Sequence, residues 1–114
     1  MSALPPPGFA DFVDRQRRKF AASLPARLEG VEASWRKIAA GAAAPEEAMQ
    51  LAVAAHGIAG SCAVFDLPEM SRAARALELE LGRLPAGDPV PSGEVRVAIE
   101  TAIARMKRSF ARQP

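Results

Sequence analysis

The sequence predicts an all-α protein, and three observations carry that reading. Apolar residues recur at three-and-four spacing in five segments, the period of an amphipathic helix. Nowhere does a two-residue alternation persist, as a half-buried strand would require. Alanine, leucine, arginine and glutamate are plentiful, aromatic residues are few and tyrosine is absent, which is the composition of a helical protein.

The elements follow in chain order. A first helix is expected from about Phe9 to Ala22, with Phe9, Phe12, Val13 and Phe20 toward the core. A second carries the stripe Leu24, Leu28, Val31, Trp35 and Ile38 and stops near Gly41, which can adopt the left-handed conformation that helix ends favour. Pro45, Glu46 and Glu47 read as the first turn of a third helix, because proline tolerates that position and acids suit the positive end of the helix dipole. This helix bears His56 and reaches about Phe65. In Asp66-Leu67-Pro68-Glu69, Asp66 is expected to act as N-cap of a fourth helix, with Glu69 completing a capping box. The fourth stripe is Met70, Ala74, Leu77, Leu81 and Leu84. Pro85 to Pro91 reads as a loop, and Ser92 is placed to cap a fifth helix with Val95, Ile99, Ala102, Ile103, Met106 and Phe110 on one side.

Short connections favour antiparallel neighbours, so the expected architecture is an antiparallel up-down four-helix bundle with an additional N-terminal helix packed over one end. At 114 residues the chain fits one domain, expected over residues 9–112 after a flexible N-terminus at 1–8. No sequence repeat or low-complexity tract interrupts it.

Composition narrows the function classes. Fifteen Lys and Arg against 13 Asp and Glu give a formal charge of +2, which carries no nucleic-acid signal. Arg15, Arg17, Arg18 and Lys19 spread around several faces of a helix and read as solvated surface. The single cysteine excludes an intrachain disulfide, and Cys62 lies where a small buried thiol is expected. Met1 to Gly8 has neither the basic nor the apolar region of a secretory signal, and no charge-free apolar segment is long enough to span a bilayer. A soluble cytoplasmic protein is therefore expected, and its charged outer surface makes a monomer the simpler state.

His56, the only histidine, is the residue to explain. It sits in the apolar run from Leu51 to Phe65 with Gly57 and Gly60, each of which costs a helix interior roughly 1 kcal/mol relative to alanine. With Leu51 set at zero and about 100° per residue, Ala55, Ile58, Cys62 and Phe65 fall within about 40° of Leu51, whereas His56 falls about 140° away. Its neighbours on that wheel are Ala52, Ala59, Gly60 and Ala63, with Met49 and Val53 close by. A solvated face normally carries Lys, Glu, Arg and Gln, yet from Ala48 to Val64 only Gln50 is long and polar. An exposed imidazole among small apolar residues is a docking face, against the plainer alternative of an incidental surface histidine.

Several chemistries are excluded by the same residues. Cys62 lies about 120° around the helix from His56, so the two do not converge on one metal ion. No carboxylate lies within four residues of His56, so an orienting acid would have to come from another helix, and the sequence marks none. No glycine-rich phosphate loop is present. An isolated, neutral imidazole can act as a nucleophile toward an activated phosphoryl group on another protein.

The segment His56-Gly-Ile-Ala-Gly60-Ser61, with Leu51 and Ala55 before it and Phe65, Leu67 and Ala73-Ala74-Arg75-Ala76-Leu77-Glu78 after it, resembles the histidine-containing phosphotransfer (HPt) domain. That family's usual pattern is histidine, any residue, Leu or Ile, lysine, glycine, then small residues. The specific resemblance covers roughly Leu51 to Leu81. It implies a four-helix bundle without kinase or ATP-binding activity of its own, in which His56 carries a phosphoryl group on Nε2. Its implied partners are response-regulator receiver domains, which supply Mg²⁺, and a hybrid sensor histidine kinase, with no cofactor of the chain's own. Gly60 would keep the face open, and Met49, Ala52, Val53, Ala59, Gly60 and Ala63 would form the docking patch. Ala59 stands where the family usually has lysine, and Arg72 and Arg75 on the following helix are the candidate replacements as phosphate-neighbouring cations. The expected function is phosphoryl shuttling in a two-component phosphorelay. The alternative is a docking module that uses the same face without carrying phosphate.

Overall fold

The computed structural model describes residues 4–84 and 90–112. Four helices account for most of them: α1 (Phe9–Ala39), α2 (Glu47–Val64), α3 (Pro68–Leu81) and α4 (Gly93–Ala111). No strand occurs among the described residues.

The first two expected helices are one. The stripe Phe20, Leu24, Leu28, Val31, Trp35 and Ile38 keeps its spacing across Pro25, and all six side chains are buried. A mid-helix proline costs about 3 kcal/mol. Burying Phe20 and Leu24, at roughly 1.5–3 kcal/mol each, outweighs it. Pro25 itself is exposed, so water can reach the carbonyl it leaves unpaired.

Continuity of α1 also corrects the expectation for its first turns. Its 31 residues span about 46 Å, whereas the 18, 14 and 19 residues of α2, α3 and α4 reach about 21–29 Å. The N-terminal turns therefore overhang the bundle. Phe9 and Phe12 remain 47 % and 50 % exposed instead of entering the core, and Val13 is half-buried.

Two helix ends are closed by backbone geometry. After α1, Gly41 has φ 72°; its N–H donates to Ile38 O and the Ala42 N–H to Lys37 O, the paired bonds of a Schellman turn. After α2, Asp66 takes φ 60° and the Leu67 N–H donates to Cys62 O at 2.8 Å, so the same turn is built with aspartate in the left-handed position. Asp66 thus ends α2, and the expected capping box is absent. Leu67 is the N-cap of α3, Pro68 follows it, and no side chain caps that helix. Likewise, Ser92 stands at the N-cap of α4 without a side-chain bond. The expected loop at 85–91 falls mostly outside the described residues, as does the start of the expected flexible N-terminus.

Cross-helix contacts establish the topology. Phe20 stacks near Phe65 while Ser34 donates to Glu47, so α1 and α2 run antiparallel. Ser71 pairs with Ala59 and Glu78 with His56, which makes α2 and α3 antiparallel. The Trp35 indole N–H donates to Glu100, and Lys107 pairs with Glu32, giving the same relation between α1 and α4. The result is an up-down bundle in which each helix packs against its sequence neighbour and α4 closes onto α1. Leu24, Ile58, Met70, Leu77, Ile99 and Met106 form its fully buried centre. Small residues at Ala55, Ala73 and Ala74 allow α2 and α3 to approach closely.

Candidate functional site

On α2, Leu51, Ala55, Ile58 and Cys62 are buried, and the His56 side chain is 73 % exposed. The helix wheel therefore placed the imidazole on the correct side. What it missed is Glu78: the Oε2 of this α3 residue lies 2.9 Å from His56 Nδ1. No carboxylate near His56 in sequence could do this, and Glu78 arrives only because α3 runs back along α2. No sequence signal marks Glu78 for this role, because the contact depends on the register between two helices.

This contact selects a tautomer. An ionised carboxylate can only accept, so Nδ1 carries the hydrogen and donates it to Glu78, leaving the lone pair on Nε2. Nε2 has no hydrogen-bond partner among the described residues. A histidine–carboxylate pair would serve as a general base if a hydroxyl nucleophile stood next to it. None does among the described residues: the Ser71 hydroxyl donates to the Ala59 carbonyl at 2.8 Å, and no serine hydroxyl bonds to the ring. The imidazole itself is the free nucleophile of this arrangement.

Cys62 cannot compete with it. The side chain is wholly buried, and burial pushes its thiol up to about 11 against a smaller opposing pull from Arg27. Among the described residues no three His, Cys, Asp or Glu side chains converge as metal ligands.

The surroundings of His56 are open. Met49 and Val53 are 69 % and 65 % exposed, Ala52 is half-buried, and Gly60 and Ala63 are exposed. A Cβ added at Gly57 or Gly60 would meet nothing within 4 Å, so internal packing requires glycine at neither position. Ala59 departs from the expected patch. It is only 2 % exposed, turned into the seam with α3 where Ser71 holds its carbonyl. At about 80° from Leu51 it sits on the edge of the core stripe, and α3 covers that edge.

The two candidate cations separate. Both arginines are exposed, but Arg75 lies about 60° around α3 from Glu78 and Arg72 about 120°. Arg72 lines a groove between α3 and α4. Neither bonds to the imidazole.

No helix among the described residues is long and apolar enough to cross a membrane. No curated protein and no solved structure matches the chain significantly. The family model for the Hpt domain matches residues 16–109, which include His56, Glu78 and all of the bundle except the first turns of α1 and the last two residues of α4. On that match, over a helical bundle that presents an exposed, carboxylate-oriented histidine, the chain belongs to the Hpt domain family.

Proposed function

We propose that this chain is a histidine phosphotransfer protein whose acceptor is His56 Nε2, in keeping with its family: Hpt domains serve phosphotransfer in two-component systems and interact with response-regulator receiver domains. It shuttles a phosphoryl group between receiver aspartates, the first of them on a hybrid sensor kinase. The observation that carries this reading is the His56–Glu78 contact, which leaves Nε2 free and exposed.

The step balances without a cofactor of the chain's own. The Nε2 lone pair attacks the phosphorus of a receiver aspartyl phosphate; the N–P bond forms as the P–O bond breaks, and the aspartate leaves as its carboxylate. The ring becomes an imidazolium, whose charge Glu78 offsets through Nδ1–H. Because Glu78 and the phosphoryl group occupy opposite ring nitrogens, the carboxylate does not repel the incoming phosphate at close range. Mg²⁺ in the receiver's own site would neutralise the phosphoryl oxygens. Transfer onward is the reverse reaction with a second receiver.

Met49, Ala52, Val53, Gly60 and Ala63 form the docking patch. Arg75, on the Glu78 side of α3, is the cation we assign to the phosphoryl group in place of lysine at position 59. The protein acts as a cytoplasmic monomer without kinase or ATP-binding activity. Incubation with phosphorylated receivers should transfer label to the wild type and not to His56→Gln. Receiver binding without labelling of the wild type would instead identify a docking module.

A further inference from the structure

A second charged feature lies away from His56. Arg105, Arg108 and Arg112 form a stripe along one side of α4, and Arg72 faces them from α3. With Glu69 and Ser109 they line an open groove of about 230 Å³. Glu69 pairs with Arg112 at 3.4 Å, while Arg72, Arg105 and Arg108 make no ion pair among the described residues. Four arginines against one glutamate give the groove a formal +3, more than the +2 of the whole chain, so the remainder is slightly acidic.

Complementing the α4 dipole accounts for part of this, since cations are favoured in the last turn of a helix, where Arg108 and the C-cap Arg112 stand. It does not account for Arg72 on the neighbouring helix or for Arg105, about one turn before Arg108. Like charges gathered at short range repel unless an anion lies between them.

We propose that the groove between α3 and α4 binds a compact polyphosphate-class anion of about diphosphate size. Guanidinium forks match phosphate oxygens in bidentate geometry. The lining favours a small anion over an acidic protein face, because it contains no apolar side chain and protein interfaces need an apolar centre. It also offers no aromatic surface on which a nucleobase could stack, so recognition is confined to the phosphates. This site is independent of phosphoryl transfer at His56.

The test is an amide NMR titration of the full chain with inorganic pyrophosphate at constant ionic strength. Inorganic phosphate, sulfate and hexaglutamate serve as comparison ligands. Saturable shifts confined to residues 69–72 and 105–112, tighter for pyrophosphate than for the comparison ligands, are expected. Arg105→Ala/Arg108→Ala should weaken binding about tenfold through two lost charge-assisted contacts. The charge-matched Arg15→Ala/Arg18→Ala on α1 and His56→Gln should both bind as the wild type does. Arg105→Lys/Arg108→Lys, which keeps the charge and loses the forks, should also bind more weakly. Shifts that never saturate, a preference for hexaglutamate, or equal weakening in the α1 variant would overturn the proposal.

Discussion

Glu78 on α3 holds the Nδ1 of His56 on α2 at 2.9 Å, so the free lone pair of the only histidine points away from the carboxylate, on Nε2. The two residues are twenty-two positions apart in sequence and meet because α2 and α3 are antiparallel. Glu78→Gln should lower the rate of phosphoryl acceptance by roughly 10–100-fold, the scale on which losing an orienting partner acts on a functional imidazole. Because the pair is largely exposed, stability should change by less than about 1 kcal/mol. Rapid-quench transfer kinetics beside urea unfolding of the same variant would separate the two effects.

Gly60 should trade stability for access. A Cβ there meets nothing within the protein, so Gly60→Ala should stabilise the fold by about 0.5–1 kcal/mol through helix propensity. The same methyl would stand one turn from His56 on the approach face, and receiver affinity should fall. A higher unfolding midpoint together with a larger Kd is the expected pair of results.

Restoring the family's lysine should not be benign. Ala59 is buried against α3, so Ala59→Lys must either displace Ser71 or lead its chain out of the seam, at a cost of about 1–3 kcal/mol for overpacking. Denaturant unfolding reads this directly, and a stability equal to wild type would show the seam to be looser than the structure has it.

Cys62 sets an alkaline limit. Its thiol titrates near 9.0 when unfolded and at about 11 in the fold, so over that interval the unfolded chain has lost a proton that the native protein still holds. Stability is therefore full below 9.0 and falls as pH rises toward 11, by on the order of 2 kcal/mol from this group. Comparing unfolding free energies of wild type and Cys62→Ala from pH 8 to 11 cancels the other titrating groups, and the difference should shrink with rising pH.

The parts of this molecule readable from sequence were those set by periodicity. The stripes of α2, α3 and α4 and the outward direction of His56 follow from 3.6-residue spacing alone. Local rules failed where packing overrode them. The expected break between Ala22 and Leu24 does not occur, because the stripe on either side of Pro25 stays in phase and holds α1 together. Phe9 and Phe12 looked like core, but no other helix is long enough to cover them. Asp66 has the side chain of an N-cap and is used instead for its tolerance of positive φ. Glu78 was invisible as an orienting acid because its role depends on the register between two helices, which no local pattern encodes. Ala59 likewise lies at the margin of the stripe, where the placement of α3 decides between patch and core.

The proposed acceptor is Nε2 of the oriented His56 ring. The direct measurement is phosphorylation of the isotopically labelled protein by a phosphorylated receiver, with the modified nitrogen located by phosphorus–proton correlation NMR. A single phosphohistidine, substituted at Nε2, is expected, with the Nδ1 proton still present and no signal in His56→Gln. A phosphoryl group on Nδ1, or none on His56 from any receiver tried, would contradict it.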